Sequence, residues 1–226
     1  MAKFVAAIFA HPDDEVLGCG AALAAHTASG DRVQILLLAT GLAARGTVDE
    51  SALKALREQA EAAAKILGVE AVSFDDFPDN AMDTVPLLKV VRRVESFLDS
   101  FPAGVVYTHH GGDLNIDHGI TQRAVVTACR PLPEAIDRTV LGCEINSATE
   151  WGTGTLAPFV PTEFLDAEPF LETKMRALEC YSDELRDWPH PRSSEGIRTL
   201  ARWRGSQSGF AAAEAFVTLR RTRSAP

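Results

Sequence analysis

The sequence predicts an α/β fold, a mostly parallel sheet with helices on both faces. Three observations carry that expectation. Continuous apolar runs of strand length alternate with amphipathic stretches of helical period. Gly30-Asp31, Gly68 and Gly104 supply breaks where a helix hands over to a strand. Strand–helix–strand repetition implies right-handed parallel crossovers, hence helices on either side of one sheet. At 226 residues the chain fits one large domain, 1–226, better than two small ones.

The elements follow in order. Phe4 to Ala10 and Val33 to Ala39 read as strands buried on both faces, and Ala71 to Phe74, Val105 to Thr108 and Val140 to Ile145 as shorter ones. Helical patterns lie between them, at Glu15 to Ser29, Ser51 to Leu67, Val85 to Ser100 and Asp117 to Cys129. The expected strand order is 3-2-1-4-5. Glu150 to Pro169 is rich in Thr, Gly and Pro and reads as a long irregular stretch, of the kind that carries function inside compact domains. A helix from Pro169 to Leu185 follows, then an extended turn, Trp188-Pro-His-Pro-Arg192, whose prolines forbid helix. A helix from Ser193 to Gly205 and a strand near Ala215 to Leu219 complete the chain.

Composition excludes some classes. Lys and Arg total 22 against 31 Asp and Glu, so the net charge is -9, and an acidic chain repels phosphate backbones; nucleic acid is not the expected partner. The four cysteines have no C-x-x-C spacing, which argues against a thiolate zinc site, and they read as buried thiols. The opening apolar run is short and is interrupted by three carboxylates before residue 16, so it is read as a buried strand rather than a secretory leader. No stretch reaches the roughly 20 apolar residues that span a bilayer. A cytoplasmic protein without a membrane span is expected, with homo-oligomerisation left open.

Two segments carry chemistry. Ala10-His11-Pro12-Asp13-Asp14-Glu15 sits where the first strand gives way to the first helix, at the carboxyl end of a strand, where open parallel sheets bind ligands. Imidazole with carboxylates suits a catalytic metal; the plainer alternative is that Asp13 and Asp14 cap the helix. Tyr107-Thr-His109-His110-Gly-Gly-Asp113-Leu-Asn115-Ile-Asp117-His118 follows another strand, and three of the six histidines fall in it. Gly111-Gly112 lets the backbone turn sharply. In the order 3-2-1-4-5 the first and fourth strands are neighbours, so both segments converge on one crevice.

His11-Pro-Asp-Asp-Glu15 followed by a late Asp-His on a helix resembles the PIG-L or LmbE-like deacetylases, over nearly the whole chain. The resemblance implies a Rossmann-like fold, one zinc ion per chain (or another divalent metal) held by His11, Asp14 and His118, and Asp13 as general base. It implies a small-molecule substrate, an N-acetylglucosamine-like amino sugar or its conjugate, hydrolysed to acetate and a free amine. Many members of that family read His-Pro-Asp-His at the second segment, where this chain reads Asn115-Ile-Asp117-His118. Asn115 can donate a hydrogen bond to an oxyanion but cannot supply a proton. The acid role is therefore expected of His110, with His109 pointing the other way; Asp13 acting alone as a proton shuttle is the alternative. Asp117 is expected to orient a histidine or the loop.

Weaker candidates for substrate contact lie at other strand ends. Arg45 follows the second strand, Asp79 the third, and Glu144 and Trp151 the fifth, while His190 and Arg192 occupy the proline-rich turn. Each also has a plain reading: a solvated arginine, a turn, a core aromatic, a surface ion pair. The rival functions are a metal-dependent phosphoesterase, which would want more carboxylates and often a second metal, and a non-catalytic sugar- or nucleotide-binding domain with structural zinc, which would want four protein ligands.

Overall fold

The structure is a computed structural model that describes residues 2–41, 50–133 and 136–225. Its strands are β1 (Phe4–Phe9), β2 (Arg32–Ala39), β3 (Ala71–Phe77), β4 (Val105–His109), β5 (Thr139–Cys143), β6 (Glu163–Asp166) and β7 (Ala213–Arg221). The helices are α1 (Asp14–Ala28), α2 (Glu50–Leu67), α3 (Leu87–Ser100), α4 (Ile116–Ala128), α5 (Leu171–Glu179) and α6 (Ser194–Ser208).

One seven-stranded sheet has the order β3-β2-β1-β4-β5-β7-β6. The first five strands are parallel and stand in the expected order. β1 lies between β2 and β4, with Ala7 opposite Ile35 on one side and Tyr107 on the other. The chain leaves β1 in one direction and later returns on its other side, so the loops after β1 and β4 open into the same crevice. β7 runs antiparallel to β5, and β6 antiparallel to β7. β6 lies inside the stretch read as irregular; four residues at an edge, three half-buried and one exposed, are too few to show a strand's period.

Period-two alternation explains the two cores. Val5, Ala7 and Phe9 of β1 pack with Leu23, Ala60 and Met175, from α1, α2 and α5. Ala6 and Ile8 pack on the opposite face with Val94 and Val125, from α3 and α4. Both faces are covered, which is why these strands read as unbroken apolar runs. α5 ends at Glu179, short of the expected Leu185, and the chain then turns so that Tyr181 enters the core, 1% exposed.

α1 is not continuous. Cys19 has φ -149° and ψ 22°, which breaks the ladder and frees polar groups on both sides. Lys174 Nζ donates to the Leu17 carbonyl at 2.7 Å. The amides of Ala21 and Ala22 donate to the Glu214 carboxylate at 3.0 and 2.7 Å. Lys174 and Glu214 also pair with each other at 2.8 Å, both buried. At Gly18 a Cβ would stand 2.9 Å from Ile145 Cδ1, so the break lets α1 press onto the end of the sheet. Among the described residues no helix is long and apolar enough to cross a membrane.

Candidate active site

The loop after β1 bends sharply. Asp13 has φ 104° and ψ -32°, a conformation that favours glycine and costs any other residue about 1–3 kcal/mol. Its carbonyl accepts the amides of Val16 and Leu17 and so starts α1, but its side chain makes no capping bond. Asp14, fully buried, points its carboxylate back across the turn. Oδ2 accepts the amide of His11 at 3.0 Å, lies 3.2 Å from His11 Nδ1 and 3.3 Å from His118 Nε2. His118 comes from the first turn of α4, 104 residues along by number. Those two separations match the edge of a tetrahedron with metal–ligand bonds of about 2.0–2.1 Å, an edge of roughly 3.3–3.4 Å. Among the described residues Asp14 Oδ1 is buried without a partner.

The outer nitrogens of both histidines are held by carboxylates. His118 Nδ1 meets Asp113 Oδ2 at 2.7 Å. His11 Nε2 lies 3.1 Å from both Asp79 Oδ1 and Asp117 Oδ2. Asp117 in turn accepts the amides of Asn80 and Met82 at 2.6 and 2.9 Å, so it ties the loop after β3 to the imidazole. Such outer partners fix the ring orientation of metal-binding histidines. Burial opposes charge on both rings, but hydrogen bonds to Asp117, Asp14 and Asp79 raise His11 well above the usual imidazole range, and Asp14 and Asp113 raise His118. Burial likewise pushes Asp14 up, and the charge on His118 with hydrogen bonds from His11 and His118 overrides it and holds the carboxyl well below its ordinary value. The cluster is one buried carboxylate that needs cationic charge beside it.

Of the adjacent pair, His109 and not His110 joins His118 at this cluster. It lies flat on His118, with ring centroids 3.8 Å apart and planes at 12°. Its Nε2 accepts the amide of Ala10 at 2.8 Å, so the ring proton sits on Nδ1. Burial and the neighbouring His118 charge keep it well below the usual range, hence neutral. His110 turns instead to the carbonyl of Ala157, 2.9 Å from Nε2, and meets Phe159 edge-on. The expectation that adjacent residues point opposite ways holds, but the expected assignment is reversed. β4 puts His109 on the side of Tyr107, which packs with the core under α1; the alternation was legible in the sequence, but not which face meets α1. At Gly112 a Cβ would fall 1.9 Å from the Ala157 carbonyl, so only glycine admits this approach of the loops.

A cavity of about 520 Å³ opens above the cluster, lined by His11, Asp13, Asp79, Asn115, Trp151 and Arg192 among others. Arg192 reaches Asp13 Oδ2 at 2.6 Å and Ser147 Oγ at 2.8 Å. Burial raises Asp13 well above the ordinary carboxylate range, with Arg192 opposing and Asp14 adding to the rise. Asn115 caps α4, accepting the amide of Asp117 at 2.9 Å, and donates to Asn80 Oδ1 at 3.0 Å. Glu144 does not line this cavity: it is bound by Arg204 at 2.7 and 2.5 Å. His190 also stays outside it, accepting the amide of Arg192 and meeting Trp151 edge-on. Arg45 lies outside the described residues.

Residues 6–129 match the family described as PIG-L, GlcNAc-PI de-N-acetylase. The chain belongs to the PIG-L family. It is 30% identical over 184 residues to the uncharacterized deacetylase YaiS of Escherichia coli K12, covering 78% of this chain and 89% of that one. It is 28% identical over 232 residues to the diacetylchitobiose deacetylase of Thermococcus kodakarensis, covering 94% and 81%. Membership makes the chain an N-deacetylase, an amide hydrolase. The fold alone does not decide that. The crystal structure of GalB, the 4-carboxy-2-hydroxymuconate hydratase of Pseudomonas putida KT2440, superposes with a TM-score of 0.78 at 22% identity, over 100% of this chain and 99% of that one.

Proposed function

We propose that this member of the PIG-L family is a zinc-dependent hydrolase of an N-acetylated amino sugar, N-acetylglucosamine-like, or of its conjugate. The observation that supports this most is the convergence of His11 Nδ1 and His118 Nε2 on Asp14 Oδ2, at 3.2 and 3.3 Å, beneath an open cavity with Asp13 at its edge. The donor set fits zinc: two imidazoles and one carboxylate, each imidazole backed by a carboxylate, with room for a fourth ligand on the cavity side. Bound there, the metal supplies Lewis acidity that polarises an amide carbonyl and makes a water more acidic.

The chain's own residues supply the rest. Asp13 takes the attacking water's proton and hands it to the departing amine nitrogen, since His110 is spent on Ala157. Water and the acetamide thereby become acetate and a free amine. Arg192 holds the Asp13 carboxylate in place. Asn115 stands at the cavity wall as a donor to the developing oxyanion. Trp151 offers an aromatic face to a sugar ring, and Asp79 and Asn80 polar groups to its hydroxyls. The sugar class is supported by the family's description and by the chitobiose relative.

Two further triads of ligand-type residues among the described residues, His11–Asp79–Asp117 and His109–Asp113–His118, each share one histidine with the first. Asp117 already accepts two backbone amides and His109 one, so both sets read as buttresses of a single metal rather than as the second metal of a phosphoesterase.

The test is acetate release over a panel of free N-acetylglucosamine, its short oligomers, nucleotide-linked and lipid-linked forms, with chelator and after zinc is restored. Release that depends on the metal and on one of these acceptors supports the reading. A purified, zinc-loaded protein that releases no acetate from any of them counts against it.

A further inference from the structure

We propose that Glu15 and Tyr181 are positioning residues that hold Asp13 in its catalytic orientation; this rests on the reading of Asp13 as the base. Asp13 sits in a backbone conformation that favours glycine, so something must hold it there. Its amide donates to Glu15 Oε2 at 3.1 Å, and the other oxygen of that carboxylate, Oε1, accepts the Tyr181 hydroxyl at 2.5 Å. Glu15 and Tyr181 are each 1% exposed, and neither lines the cavity. They can therefore touch no substrate, and Glu15 is not among the ligand-type triads.

The bonds run in one direction of cause. Tyr181 fixes the rotation of the Glu15 carboxylate. The fixed carboxylate pins the Asp13 amide, and the pinned amide keeps φ at 104°. Released, the backbone relaxes toward negative φ and swings the Asp13 side chain away from Arg192 and from the cluster below it. The same C-terminal segment grips the next turn as well, through Lys174 on the Leu17 carbonyl. Tyr181 and Lys174 thus clamp the start of α1 at two points, and the upper one sets the base.

Four variants test this on the zinc-loaded protein: Tyr181→Phe, Glu15→Ala, Glu15→Gln, and Tyr181→Phe combined with Asp13→Asn. The measurements are kcat and KM for acetate release, metal per chain and the thermal midpoint. A base displaced by about 1 Å loses roughly 100-fold in rate. Tyr181→Phe and Glu15→Ala are expected to lose that much kcat, with KM and metal content kept. Glu15→Gln recovers most of what Glu15→Ala loses, because the amide oxygen still accepts from Asp13 while its NH₂ donates to the Tyr181 oxygen. On the Asp13→Asn background, Tyr181→Phe costs less than about twofold more, as expected of two residues acting through one group. In a crystal structure of Tyr181→Phe, Asp13 leaves the positive-φ region.

Wild-type kcat in Tyr181→Phe, while Asp13→Asn is inactive, overturns the inference and leaves the function standing. Equal losses on both backgrounds overturn it too, since Tyr181 then acts on the fold and not through Asp13. Near-normal turnover in Asp13→Asn overturns both readings. Should Glu15→Ala fail to fold, Tyr181→Phe, which removes a single oxygen, decides alone.

Discussion

Arg192 Nη1 stands 2.6 Å from Asp13 Oδ2, although 179 residues separate the two in the chain. The guanidinium is anchored from behind by Ser147 and flanked by Glu184 at 3.6 Å. The guanidinium opposes, without overcoming, the burial and the neighbouring Asp14 charge that raise this carboxyl, and it holds Asp13 at the cavity edge. Asp13→Asn retains an acceptor for Arg192 and touches no metal-binding atom. Its thermal midpoint and metal content are expected to stay near wild type while kcat falls roughly 100- to 10,000-fold. Normal turnover at neutral pH would place the base elsewhere.

Metal affinity should depend on residues that never touch the ion. Asp113 meets His118 Nδ1 at 2.7 Å and fixes which nitrogen faces the cluster. Asp113→Ala is expected to weaken zinc binding about 10- to 100-fold, read by competition with a chromogenic chelator. His118→Ala should abolish stoichiometric binding. Equal affinity in wild type and Asp113→Ala would mean that the carboxylate only fills space.

His110 and Asn115 separate cleanly. His110→Ala loses a bond to the Ala157 carbonyl and an edge contact with Phe159, so it should cost about 1–3 kcal/mol of stability and leave the pH–rate profile in place. Asn115→Ala should cost about 1 kcal/mol of stability as a lost helix cap, and about 3 kcal/mol of transition-state stabilisation as a lost oxyanion donor. A shifted alkaline limb in His110→Ala would restore the acid role to that residue.

The Lys174–Glu214 pair predicts a stability effect without a catalytic residue being altered. Lys174→Met leaves the Glu214 carboxylate buried without its cation, and should destabilise by about 3–5 kcal/mol in urea titrations. Changing both, Lys174→Met with Glu214→Gln, should recover part of that loss. A single-site loss below about 1 kcal/mol would show that the break at Cys19 is tolerated without its partners.

The parallel half of the fold was legible because both of its faces are buried: runs such as Val33 to Ala39 can be little else. His11, Asp14 and His118 meet in one cluster, as the resemblance to the PIG-L family implied; their residue types and strand-end positions alone left a helix-capping alternative open. What stayed hidden depends on packing. The stretch Glu15 to Ser29 reads as one helix, yet it breaks at Cys19, and the cation and carboxylate that fill the gap come from residues 174 and 214. Tyr181 is one aromatic in a helical stretch until its hydroxyl is seen against Glu15. Choosing between His109 and His110 needed the side of β4 that faces α1, and a five-residue strand does not declare its face.

The break in α1 also limits how this enzyme can be recombined with its relatives. The family match stops at residue 129, and the groups that close the gap lie beyond it. A chimera that keeps this chain's first 129 residues and borrows the remainder carries every metal-binding residue proposed above, yet inherits a severed first helix unless the donor brings an ammonium and a carboxylate to the same two places. Crossovers in a recombination library should accordingly be scored by whether Leu17 to Ala22 travel together with Lys174 and Glu214, since a boundary that is neutral by sequence divides a single mechanical joint.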